Sequence, residues 1–138
     1  REWRDLHRQL RLICQELGLK ENTEPGSFEL IHRAILSGYI TLIGFQDEKG
    51  EYLGTRGRKF FIYPGSGLFK KTPKWVLAAE IVETTKVYAR TVARVEPEWI
   101  ERAAQHLVKR NYLEPHWEKK RGEVVAYEQV SLYGVVLV

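Results

Sequence analysis

Between residues 86 and 95 the sequence alternates two kinds of side chain. Lys86, Tyr88, Arg90, Val92 and Arg94 hold the even positions, and Val87, Ala89, Thr91, Ala93 and Val95, small and mainly apolar, hold the odd ones. Successive side chains on a strand point to opposite faces, so one face packs while the other presents base, ring, base, base. Cations spaced two residues apart can track a phosphate chain, and a ring between them can stack on a nucleobase. A competing reading is an exposed edge strand whose Lys, Arg and Thr side chains keep it soluble and block pairing with other chains.

Charge is segregated in the same direction. Residues 52–79 contain no carboxylate, while Arg56, Arg58, Lys59, Lys70, Lys71 and Lys74 all fall there; the formal net charge is +4. A basic middle is the footprint of a phosphate-binding surface, or else of a solvated basic loop region. Pro64-Gly65-Ser66-Gly67-Leu68-Phe69-Lys70-Lys71 superficially looks like a phosphate-cradling loop. It lacks the Gly-Lys-Ser/Thr ending of a P-loop and reads as a turn between two strands whose lysines can touch a polyanion. His7, His32, His106 and His116 show neither HxxxH nor HExxH spacing, and Cys14 is the single cysteine, so no metal-ligand set is legible. Glu98 and Glu101 sit in the first turn of an expected helix, where the helix dipole accounts for them. No catalytic constellation emerges.

The elements that must position these side chains follow from periodicity. Trp3, Leu6, Leu10, Ile13 and Leu17 form one apolar stripe of a first helix, with Gly18 past its end. After a polar loop at 20–26, Ser27 can cap a second helix whose apolar face runs Leu30, Ile31, Ile35, Leu36, Tyr39, Ile40, Ile43, closed by Gly44. Asp47-Glu48-Lys49-Gly50 is turn chemistry, and β-favouring runs follow at 51–55, 59–63 and 75–95, the last too long for one strand and expected to split near 83–85. Pro97 opens a third helix, with Lys109-Arg110-Asn111 suiting its far end. Trp75, Trp99 and Trp117 are expected in the core or as lids over it. Runs at 124–130 and 132–138 are β-favouring again, after a basic loop at Lys119-Lys120-Arg121-Gly122. The class is therefore α+β: N-terminal helices, an OB-fold-like small barrel with a helix, and a C-terminal β extension.

The 138 residues hold one domain, or a domain with an appendage, and bury roughly two-thirds of their unfolded surface. Hydrophobic residues at 43% and charged residues at 29% exclude a disordered chain, and no apolar run reaches a membrane span of ~20 residues. Methionine is absent, including at position 1, and the sequence stops within the apolar Val135-Val136-Leu137-Val138. These features raise the expectation that it is part of a longer protein. The lone cysteine fits a reducing, cytoplasmic setting.

Tyr63-Pro64-Gly65-Ser66-Gly67-Leu68-Phe69, Pro73-Lys74-Trp75-Val76, Glu80-Ile81-Val82-Glu83-Thr84-Thr85-Lys86, Ala89-Arg90-Thr91-Val92 and Pro97-Glu98-Trp99 together resemble the C-terminal block of DEAH-box RNA helicases. Ala104-Gln105-His106-Leu107 and the stretch from Glu114-Pro115-His116-Trp117 to Gly122 are similar to the bacterial HrpA-type group. The resemblance implies that residues 1–44 close a helical-bundle (ratchet-like) domain, 45–113 form an OB-fold, and 114–138 begin a bacterial C-terminal extension. It implies single-stranded RNA as ligand, the motor lobes of the same parent chain as neighbours, and ribosome or mRNA association through the parent. Thr85, Lys86 and Arg90 match family positions on the RNA side; Arg56, Arg58 and Lys59 fall in a segment of variable length. Gly65 and Gly67 depart from the family pattern of a serine and a larger side chain. ATP and magnesium would belong to the parent's motor. The Walker A, DEAH and arginine-finger elements are missing here, so this stretch is not expected to hydrolyse ATP itself.

The alternative is a protein-docking module, in which the basic-aromatic strand and the apolar helix seat on a motor lobe or an activating partner with little RNA contact. OB-folds bind proteins too, so fold alone does not decide. A free-standing RNA-modifying enzyme is disfavoured by the lack of acid–base or metal residues.

Overall fold

A computed structural model describes residues 1–137 of the chain. Helix α1 (Glu2–Glu16) ends in a Schellman turn, with Gly18 at φ +68, the Leu19 N–H donating to the Cys14 carbonyl and the Gly18 N–H to the Gln15 carbonyl. No residue of α1 is buried, and its stripe of Trp3, Leu6, Leu10 and Ile13 faces solvent. Helix α2 (Phe28–Tyr39) begins where Ser27 was expected to cap it: the Ser27 hydroxyl accepts from the Leu30 N–H.

The second helix does not reach Gly44. It stops at Tyr39, passes through a 3-10 turn (Ile40–Leu42), and Ile43 opens strand β1 (Ile43–Gln46). A short apolar run reads equally well as helix or strand. Barrel closure decides it, because Ile43 to Phe45 pair with Leu77 to Trp75. Strands β2 (Tyr52–Gly54) and β3 (Lys59–Ile62) fall inside the two expected runs, and the long run divides into β4 (Trp75–Glu83) and β5 (Val87–Arg94) around a turn at 84–86. These five strands close a barrel in the order β1-β2-β3-β5-β4, every pairing antiparallel except β3 with β5.

Strand β4 is apolar on both faces because both faces pack. Val76 and Ala78 point into the barrel with Tyr52, Phe60, Ile62 and Ala89. Trp75 and Leu77 point out, onto a second core with Leu36 of α2, Ile100 of helix α3 (Pro97–Ala103), and Val130 and Leu132. The last two belong to a separate three-stranded sheet, β6 (Lys109–Glu118), β7 (Glu123–Leu132) and β8 (Val135–Val136), in the order β6-β7-β8. The sequence placed Lys109, Arg110 and Asn111 at a helix end, whereas here they begin β6, paired with Ser131, Val130 and Gln129. Arg110 explains the change, for its guanidinium bridges Glu101 of α3 and Glu128 of β7. Hydrogen bonds donated by the guanidinium to those two carboxylates, Glu101 foremost, raise the Arg110 pKa above its ordinary value. Residue 138, the end of the last expected run, lies outside the described residues.

Tyr52 ties the barrel to the loop after β3. Its hydroxyl donates to the Pro73 carbonyl at 2.6 Å, and burial pushes the phenol up to about 12. The raised value favours the neutral phenol in the fold. Its contribution is fully present below the unfolded tyrosine pKa of about 10 and is lost as pH climbs through about 12. Tyr52→Phe should cost about 1 kcal/mol at neutral pH and should flatten the alkaline decline in stability, read by urea denaturation across that range.

Candidate nucleic-acid interface

Parallel pairing of β3 with β5 sets Phe61 opposite Tyr88 and Ile62 opposite Ala89, and the Tyr63 N–H continues the ladder to the Ala89 carbonyl. Rings on and just after β3 therefore lie beside cations on and just before β5. The Lys86 ammonium sits 5.0 Å over the Phe61 ring and the Arg90 guanidinium 4.9 Å over the Tyr63 ring. Both cations are exposed, and among the described residues neither forms an ion pair. A cation held over its own ring is pre-positioned at little cost, and a guanidinium plane can itself stack on a base.

Tyr88 differs from its expected role. It is half-buried and meets Tyr63 edge-on, with ring centroids 6.0 Å apart. The ring available at the surface is Tyr63, 41% exposed, which single-strand alternation on β5 could not reveal. The alternation also breaks at Thr91, a β-branched residue at φ +51, left-handed backbone that such side chains rarely adopt. In consequence Val87 and Ala89 face the barrel interior and so does Val92, expected on the outer face, while Arg90 stays outside.

Beside this pair lies an open groove of about 490 Å³, bounded by Tyr63, the 65–67 loop, Arg90, Thr91 and Val92. Glu80, opposite Arg90 in the β4–β5 register, puts one carboxylate on its wall. Val92 also borders a second groove of about 480 Å³, where Arg94 and Lys71 meet Phe28 and His32 of α2. Arg94 shares its charge with Glu96 at 3.5 Å. The two grooves border β5 from Arg90 to Arg94, about 13 Å at strand rise.

Not every predicted residue joins that path. Thr85 is exposed in the β4–β5 turn, and Lys70 is exposed in the loop after β3. Lys59 is paired with Glu51 at 3.3 Å. Arg56 and Arg58 border a different cavity of about 450 Å³, with Thr41, Gly54 and Ile81. Arg56, at φ +58, stacks over the Tyr133 ring at 5.4 Å. Of the tryptophans, Trp75 is buried and Trp99 half-buried, whereas Trp117, expected in the core or as a lid, is exposed on β6. Among the described residues no group of three His, Cys, Asp or Glu side chains could hold a metal ion, and no helix is long and apolar enough to cross a membrane.

Comparison with known proteins agrees with the topology. The family model of the oligonucleotide/oligosaccharide-binding (OB)-fold matches residues 31–107, more than half of the chain. Over its whole length the chain is 52% identical to part of the ATP-dependent RNA helicase HrpA of Escherichia coli (strain K12), and 52% identical to part of the HrpA homolog of Haemophilus influenzae. It spans 11% of the length of each. Among solved structures, the DExH-box NTPase HrpB of E. coli superposes with a TM-score of 0.62 at 12% identity, over 93% of this chain and 16% of that one. A second structure, of the E. coli DEAH/RHA helicase HrpB, gives 0.51 at 13% identity, over 91% of this chain and 15% of that one.

Proposed function

The chain belongs to the OB-fold family, and from that premise we propose that it is the RNA-contacting module of a DEAH-box, ATP-dependent RNA helicase. One observation carries this reading: Lys86 and Arg90, among the described residues in no ion pair, stand over the Phe61 and Tyr63 rings, and Arg90 and Tyr63 border an open groove. Such a wall holds an unpaired strand passively, its phosphates on the cations and a base on the guanidinium or on Tyr63, while motor lobes elsewhere in the parent do the work. Residues 1–44 would close the helical bundle, 45–113 form the module and 114–138 begin the extension. On the observed elements the barrel starts at Ile43 and β6 runs across the second boundary. ATP and magnesium would be held by the motor, in the cytoplasm, with single-stranded RNA, the lobes and, through them, ribosome or mRNA as partners.

Salt dependence tests the reading. With Lys86, Arg90, Arg94 and Lys71 meeting phosphates, the affinity for a short single-stranded RNA should fall with salt at a log–log slope of about −3. A slope near zero would refute it.

A protein-docking role has its own supporting observation, the solvent-facing apolar stripe of α1. That role predicts association with the helicase motor that is lost on Leu6→Asp and Leu10→Asp while the salt slope for RNA is unchanged.

A further inference from the structure

The β6–β7 hairpin is a two-stranded ribbon anchored at its base. Val130 and Leu132 enter the second core there, and Arg110 clamps β6 to α3 and β7. Farther out both faces are solvent-exposed, although a lone two-stranded ribbon in water is marginal. Its outer cross-strand pairs are Leu113 with Tyr127, His116 with Val125, and Trp117 with Val124. Trp117 therefore lies on one face and the His116 and Tyr127 rings, centroids 6.1 Å apart, on the other. Trp117 is 59% and Tyr127 64% exposed.

The tip beyond these rings is basic. Its turn is closed by the Arg121 and Gly122 N–H groups donating to the Glu118 carbonyl, with Gly122 at φ +68. The Glu118 carboxylate accepts from the Lys120 N–H, and Glu123 lies 3.9 Å from Arg121. Glu123 is in an ion pair and Glu118 caps the turn while keeping its charge, so the tip holds three cations against two carboxylates, and among the described residues Lys119 and Lys120 are in no ion pair. Exposed rings on a ribbon with free cations at their edge match the chemistry of an unpaired nucleic-acid strand: a π-face for each base and a charge for the adjoining phosphate.

We infer that the outer half of the β6–β7 hairpin is a second contact for single-stranded RNA, with a base stacking on Trp117 and phosphates meeting Lys119 and Lys120. The site takes its ligand class from the RNA-contacting reading of the chain but uses none of the β5 residues.

A short oligouridine containing 4-thiouridine, photocrosslinked to the full chain and mapped by mass spectrometry, tests it. Crosslinks are expected on peptides covering 109–132. Their yield should fall at least about fivefold in Trp117→Ala or Lys119→Ala/Lys120→Ala, both at exposed positions, and should persist in Lys86→Ala/Arg90→Ala. Crosslinks confined to peptides of β3 and β5 would overturn this inference and leave the groove reading standing. Crosslinks confined to the hairpin would support it and defeat the groove. Absence of both would defeat the two together. A hairpin whose Trp117→Ala variant abolishes self-association of the chain but leaves RNA crosslinking intact is a protein-docking element, and the inference fails.

Discussion

Alanine at both Lys86 and Arg90 is expected to weaken binding of a short single-stranded RNA on the order of tenfold at low salt and to make the log–log salt slope shallower by about 1.4, the share of two phosphate contacts. Folding should be weakened only modestly, by about 1–2 kcal/mol for the two stacking contacts together. Both side chains are exposed, and among the described residues neither is in an ion pair, so no buried group loses a partner. What each gives up within the protein is one stacking contact, on Phe61 for Lys86 and on Tyr63 for Arg90, worth about 0.5–1 kcal/mol at an exposed site. Fluorescence anisotropy with a labelled oligonucleotide, alongside urea denaturation, separates the two effects. Arg90→Lys is the sharper companion. It keeps the charge and hence the slope, but removes the planar face, so affinity should drop while salt dependence stays.

Alanine at Gly44 should be the most damaging of the small changes to the barrel. A Cβ there would lie 2.3 Å from Cζ of Phe60, a ring fully buried in the barrel and stacked with Tyr52. Gly44 faces Gly54 across β1–β2, and a Cβ on Gly54 would also crowd Phe60, at 3.0 Å. The two glycines make room for one ring, and the ring fills the space they leave. Forcing a methyl into it should cost about 3 kcal/mol, the upper part of the usual range for overpacking. Phe60→Ala should cost about 3–5 kcal/mol by leaving a cavity. Combining Gly44→Ala with Phe60→Leu should cost less than the sum of the single changes, because the smaller side chain vacates the clash; a urea-denaturation double-mutant cycle reads that coupling.

These two results bear on how much of the molecule is legible from its residues. The split of 75–95 into two strands could be read because a run of that length exceeds a strand and Glu83-Thr84-Thr85 offers a turn. Ser27 and Gly18 marked helix ends because capping is local chemistry. Strand β1 was missed for the opposite reason: Ile43 and Gly44 continue a helical periodicity, and only their pairing with β4, some thirty residues away, makes them a strand. Residues 109–111 failed likewise, since basic residues suit a helix C-terminus until Glu128 of β7 claims Arg110.

The site divides along the same line. Lys86 and Arg90 could be found from alternation along a single strand. Tyr63 could not, because its place beside Arg90 depends on a parallel pairing between segments 27 positions apart in sequence. The signal was present in part: Lys59, Phe61 and Tyr63 alternate with the buried Phe60 and Ile62, so an outward ring pair on β3 was readable once the strand order was known. Nothing local announced the left-handed Thr91, which turns Val92 inward and keeps Arg90 at the surface.

An RNA-contacting barrel requires that an unpaired strand touch β3, the loop after it and β5. Amide shift mapping of the isotopically labelled chain, titrated with a short single-stranded RNA, addresses that directly. The largest perturbations should cluster at 61–67 and 86–94, on adjacent strands and their loop. Shifts confined to α1, or spread evenly over the basic surface without a maximum at β3 and β5, would contradict it.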